Sequence, residues 1–262
     1  MNVAQAMPLL RRLAEQFAAA VAEGSDTHEI EGFRVHLWAS PDPFYRNVAI
    51  PTDAACLEAS SVARMQDLFA AHARTPRLEF FAELWPGLAP VLESAGLTLD
   101  REAQVMVRRP GDELPAPLGG EAAVLLDAGQ QRVRLQAFLA AAATAFAETG
   151  PLNPGEVDRL AAGLARGTIA AAGSLQGREP VAGASLIRVG PVAELAGVWT
   201  LPDWRRRGLA RACCRLLLER FFGDGGEIAW LSAGGPAGQA LYGQLGFRPC
   251  GTQLNYSRPA TA

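Results

Sequence analysis

Apolar runs broken by glycine and proline organise the second half of this chain. Ile169 to Leu175, Val181 to Val189 and Val192 to Thr200 are short, mostly apolar and β-branched or alanine-rich. Turn residues join them, so they predict three consecutive strands. The pattern then changes period. Leu209, Ala212, Cys213, Leu216, Leu217 and Phe221 recur with the spacing of one buried helix face, which predicts a helix through Phe222. Upstream, Ala122 to Leu126 reads as a strand and Gln131 to Ala147 as a helix. Asn153-Pro154 opens a further helix to about Ala165. Downstream, the pattern predicts a strand at Ile228 to Ser232, a helix at Ala237 to Leu245 and a final strand pair from Phe247 to Arg258.

The first half repeats this order at low identity. At an offset of 150 residues, Val48-Ala49-Ile50 lies under Val198-Trp199-Thr200, and Leu78 to Phe81 under Ile228 to Leu231. Val91 to Leu97 lies under Leu241 to Phe247. After a one-residue slip, Gln104 to Arg108 lies under Gln253 to Ser257. Between the halves, the stretch from Arg109 to Gly120 is rich in proline and glycine and has no periodicity. The expected organisation is a domain over 1–112, a linker over 113–120 and a second domain over 121–262. Each is of α/β class.

One element cuts against helix electrostatics. Arg205, Arg206 and Arg207 stand at the start of the long helix, where free N–H groups favour negative charge. The arrangement makes sense if an anion docks there. Backbone N–H groups, Gly208 for close approach and flanking guanidiniums would bind a phosphate or pyrophosphate. The plain alternative is a solvated basic face.

The run Arg205-x-x-Gly208-x-Ala210, with Pro202 before it, resembles the acyl-CoA-binding signature of the GNAT superfamily of N-acetyltransferases. So does Ala240-Leu241-Tyr242-Gly243-Gln244-Leu245-Gly246-Phe247, which is similar to that family's last helix and its Gly-Phe turn. The resemblance covers roughly the second half of the chain. It implies two GNAT-like domains in tandem, each a mixed α+β sheet with helices on both faces, the first a degenerate copy. At the positions of Arg205 to Ala210 that copy has Ala55 to Ser60, with Glu58 in place of Gly208, and it has Leu92 in place of Tyr242. The implied activity is direct transfer of an acetyl group from acetyl-CoA to a primary amine of a small molecule or peptide.

The resemblance also implies site residues. Backbone groups of Val198, Trp199 and Thr200 would pair with the pantetheine arm as an added strand does. The backbone of Arg206, Arg207, Gly208, Leu209 and Ala210 would cradle the pyrophosphate, with charge from Arg205 and Arg207. Glu194, on the strand entering the cofactor turn, is the expected base, although it reads equally as a solvent-facing strand glutamate. Tyr242 is the expected acid. A phenol with an ordinary pKa of about 10 can protonate a departing thiolate. The family often places an asparagine at the start of the last helix, where this chain has Gly235. Phe146, Glu148, Asn153 and Trp199 are acceptor-site options, each also explicable as structure.

Composition narrows the picture. Net charge is -3, and all 24 basic residues are arginine, so there is no broad basic field for nucleic acid and no lysine for a Schiff base. Cys56, Cys213, Cys214 and Cys250 form no CxxC pair, and three histidines are scattered. No metal spacing exists, and buried thiols of a reducing cytoplasm are the expected reading. The apolar stretch 137–147 is too short to span a bilayer, so no membrane partner is expected. A homodimer stays open. A non-catalytic acyl-CoA sensor is the alternative to an enzyme.

Overall fold

The computed structural model describes residues 3–39, 44–112, 123–127, 129, 132–148 and 150–258. The expected linker over 113–120 lies outside them. The elements run α1 (Val3–Ala22), β1 (Asp26–Ile30), β2 (Phe33–Leu37), β3 (Val48–Pro51), α2 (Ala59–Ala71), β4 (Arg77–Phe81), α3 (Leu88–Ser94) and β5 (Thr98–Arg108). They continue with β6 (Val124–Leu126), α4 (Arg132–Ala145), α5 (Pro154–Arg166), β7 (Ile169–Gln176), β8 (Glu179–Val189) and β9 (Val192–Thr200). Last come α6 (Leu209–Gly223), β10 (Ile228–Ala233), α7 (Gly235–Gly243) and β11 (Arg248–Ser257). The fold is α/β, with parallel and antiparallel strands mixed.

The chain divides into two compact units. The first holds residues 1–106, 232–239 and 249–262, the second 107–231 and 240–248. In the first unit the strands follow the order β1-β2-β3-β4-β11-β5. β1, β2 and β3 pair antiparallel, and β3 meets β4 in parallel at Ala49 and Leu78. α2 and α3 close a core of Phe33, Val35, Met65, Phe69, Leu78, Leu92 and Tyr256.

β11 is one strand where the sequence pattern predicts a pair, and it lies with the first unit. It pairs antiparallel with β4, from Gln253 opposite Phe81 to Ser257 opposite Arg77. Its side chains explain the choice. Tyr256 is buried, stacks on Phe80 at 6.1 Å and donates its hydroxyl to Glu93 Oε1 at 2.9 Å. Gln253 Nε2 donates to Glu79 at 3.2 Å. Strand pairing is a long-range decision that local periodicity does not carry.

In the second unit the order is β10-β9-β8-β7-β6. Successive strand residues point to opposite faces. A Cβ on Gly173 would point at Phe138 of α4, while the neighbouring Ser174 hydroxyl meets Cys213 Sγ of α6 at 3.5 Å. α4 and α6 therefore cover opposite faces of these strands. On the α4 side, Leu135, Phe138, Val157, Leu160, Ile169 and Trp199 form the core. Asn153 caps α5, accepting from Gly155 N–H at 2.9 Å, with Pro154 in the first turn.

Candidate active site

The site is built at the end of β9. The parallel ladder between β9 and β10 joins Val192 to Ile228, Ala193 to Ala229 and Glu194 to Trp230, and ends there. Beyond Glu194, β9 keeps its partner β8 on one side only. The other edge of residues 195–199 has no β10 partner, and N–H and C=O groups on such an edge can pair with an extended ligand.

A bulge shapes this edge. Between Gly183 opposite Trp199 and Ser185 opposite Ala196, β9 has one residue more than β8. Gly197 sits in the extra stretch with φ +56°, a left-handed conformation that glycine accepts without steric cost. The inserted residue changes which side chains face α4. Trp199 now lies opposite Gly183, is 3% exposed and makes an edge contact with Phe138 at 5.3 Å. The close fit depends on Gly183, where an added Cβ would come within 2.5 Å of Phe138. The Trp199 side chain is therefore core.

The turn after β9 has the form of an anion cradle. A short 3-10 turn, Pro202–Trp204, leads to Arg205; Arg206 has φ +63° and Gly208 φ +78°. Gly208 precedes α6, where no side-chain hydrogen bond caps the N-terminus. Ala212 N–H donates to Gly208 O at 3.0 Å and closes the first turn of the helix. The N–H groups ahead of it in that first turn carry the positive end of the helix dipole. Val198, Thr200, Leu209 and Ala210 are half-buried, and Arg205, Arg206 and Arg207 are exposed.

Two arginines also hold the turn itself. Arg205 Nε donates to Thr200 O at 3.3 Å, and its Nη2 reaches Ala145 O at the end of α4 at 3.5 Å. Arg207 lies over the Trp204 ring at 4.6 Å and donates to Asp203 O at 3.0 Å. Trp204 thus steadies one guanidinium of the cradle, a role that its sequence position alone does not single out.

Glu194 is half-buried at the last rung of the ladder. Ile169, Ile187, Glu194 and Trp230 stand opposite one another on successive strands, so Glu194 faces the same side as the Ile169 core under α5. Tyr242 is half-buried near the end of α7, in edge contact with Phe247 at 6.2 Å. Its carbonyl accepts from the N–H groups of Leu245 and Phe247, both at 3.0 Å, and Gly246 turns the chain at φ +82°. Gly235 begins α7 at φ +75°. Of the acceptor-site options, Asn153 is the α5 cap, Trp199 is core, and Phe146 and Glu148 are exposed.

All four cysteines are free and buried. Burial pushes the Cys213 thiol up to about 11, partly offset by Ser174, and pushes Cys214 up as well. Neither is a thiolate at neutral pH, so neither is placed to act as a nucleophile.

Residues 141–247, which contain β9, the cradle and Tyr242, match the model of the Acetyltransferase (GNAT) family. The chain carries a GNAT domain. That family is one of acetyltransferases, and the match spans β9, the turn after it and α6. Among solved structures, the fold is similar to a GCN5-related N-acetyltransferase from Kribbella flavida, with a TM-score of 0.77 and 23% identity over 96% of each chain. It is also similar to a GCN5-related N-acetyltransferase from Sphaerobacter thermophilus, with a TM-score of 0.65 and 15% identity over 88% of this chain and 78% of that one. A tandem GNAT protein from the clavulanic acid biosynthesis pathway has a TM-score of 0.55 and 12% identity, over 89% of this chain and 80% of that one. At these identities the likeness is one of fold. No curated protein matches the sequence significantly.

From β1 to β5 the order of strands and helices is the one that runs from β7 to β11, but the turn after β3 is built differently from the turn after β9. Asp53 accepts from Ala55 N–H at 2.8 Å, so a carboxylate already occupies that turn. Glu58 precedes α2 with φ -88°, where Gly208 precedes α6 in the left-handed region.

Proposed function

We propose that the GNAT domain transfers an acetyl group from acetyl-CoA directly to a primary amine of a small molecule or peptide. The observation that carries this reading is the junction of β9 and α6. A strand edge with no β10 partner beyond Glu194 leads through the turn 201–208 to a helix N-terminus with no side-chain cap. The edge suits the two amides of a pantetheine arm, through Val198, Trp199 and Thr200. The N–H groups from Arg206 to Ala210, flanked by Arg205 and Arg207, suit a pyrophosphate.

The amine must lose a proton to attack, and Glu194 accepts it, directly or through water. The amine nitrogen bonds to the thioester carbon, the carbon–sulfur bond breaks, and Tyr242 protonates the departing thiolate. The buried thiols support a direct route over one through an acyl-cysteine. They also fit a reducing, cytoplasmic setting.

In this proposal the first unit is a degenerate GNAT copy, and one acetyl-CoA binds per chain. Residues 1–112 and 121–262 are the inherited domains, and β11 completes the first unit rather than the second. The test is thiol release from acetyl-CoA across a panel of primary amines, read together with acetyl-CoA affinity. Amine-dependent CoA release supports the enzyme. Tight binding with no release for any amine would instead make the protein an acyl-CoA sensor.

A further inference from the structure

A cavity in the first unit is not an acyl-CoA site by its chemistry. It encloses about 440 Å3, a volume suited to a small ligand. It opens where β3 and β4 diverge, the counterpart of the β9 edge in the second unit. Their parallel pairing is confined to Ala49 and Leu78. Past that rung, Ile50, Pro51 and Thr52 form one wall and Phe80, Phe81, Leu84 and Trp85 the other, and Ala14 and Phe17 of α1 face the same space.

The polar groups of this cavity have the opposite sign to the cradle of the GNAT domain. Its lining carries Arg11 against Glu15, Asp53 and Glu79. Glu79 is matched from behind by Arg77 at 2.6 Å and accepts from Gln253 at 3.2 Å. Counting Arg77, the cavity keeps one net negative charge, and Asp53 holds it at the turn where a pyrophosphate would have to lie. A phosphate is repelled there. A cation is attracted, and the aromatic walls from Phe17 and Trp85 suit an ammonium group on an apolar body.

We propose that the first unit is a binding site for a small amphipathic amine, with its ammonium group toward Asp53 and its apolar body against Phe17, Leu84 and Trp85. The site stands apart from the transfer reaction and does not rest on it.

Calorimetry on the full chain tests this with phenethylamine, tryptamine and benzyltrimethylammonium, against 2-phenylethanol and 3-phenylpropionate as uncharged and anionic counterparts. At least one amine should saturate the protein at least tenfold more tightly than the alcohol, and the carboxylate should not bind. Ala14→Trp, which fills the cavity, should abolish amine binding while far-UV circular dichroism and cooperative unfolding stay as in wild type, which shows that the variant is folded. Asp53→Asn keeps an acceptor for Ala55 N–H and removes only the charge; it should weaken the amine at least fivefold. Gly208→Glu, in the other unit, should leave amine binding unchanged. The proposal is overturned if no amine saturates, if the alcohol binds as well as the amine, if binding survives Ala14→Trp, or if Gly208→Glu abolishes it.

Discussion

Replacing Gly208 by glutamate and, separately, by alanine isolates charge from backbone strain in the cradle. Gly208 sits at φ +78°, ψ -1°. An L-residue there costs roughly 1–2 kcal/mol, which both variants share. For a chain of this size that cost lowers the melting temperature by about 2–8 °C. Only glutamate adds a carboxylate to the anion turn. At about 6 Å from one phosphate charge and an effective dielectric of about 20, the repulsion is about 3 kcal/mol, roughly a hundredfold in affinity. Calorimetric titration with acetyl-CoA should therefore find the alanine variant within about tenfold of wild type and the glutamate variant about a hundredfold weaker than the alanine one. If the glutamate variant binds within threefold of the alanine variant, the turn after β9 does not hold the pyrophosphate.

Tyr242→Phe keeps the ring against Phe247 and removes the proton donor, so kcat should fall by about 10²–10⁴ with acetyl-CoA affinity unchanged; wild-type kcat would remove Tyr242 from the mechanism. Glu194→Gln should slow the reaction most at low pH, where the amine is mostly protonated, and a pH-independent loss would contradict its role as base. Gly183→Ala should destabilise the protein by about 1–3 kcal/mol, because its Cβ would press into the Phe138–Trp199 pair; urea unfolding unchanged from wild type would refute that packing. His36 is buried, and burial together with Arg34 lowers its pKa from 6.5 to about 4, against an opposing pull from Glu29. The unfolded chain takes up that proton first, so stability present above pH 6.5 is lost as pH falls towards 4, by up to about 3 kcal/mol. The loss should shrink in His36→Phe, and an identical pH dependence in the variant would count against it.

Elements with strong local signals were legible in the sequence. The strand β9, the arginine turn and α6 announce themselves by a change of hydrophobic period. Asn153-Pro154 marks the start of α5, and Gly246-Phe247 marks the turn after α7. Features decided by distant partners were not legible. The segment from Phe247 to Arg258 reads as a strand pair, yet β11 forms one strand on β4, held by Tyr256 and Gln253. Trp199 has the position of a site residue, but the bulge at Gly197 turns its side chain into the core. The lone glycine in an apolar strand pattern was the available signal for that bulge. The cavity beside Trp85 depends on how α1 lies on β4, which no local pattern encodes.

Hydrogen exchange on the full chain, with and without acetyl-CoA, tests the cradle most directly, because it reads the amides that would touch the ligand. Acetyl-CoA should slow exchange at residues 195–200 and 206–211 and leave residues 52–58 unchanged. Protection at 52–58, or none along the β9 edge and the first turn of α6, would contradict the assignment of the acyl-CoA site to this GNAT domain.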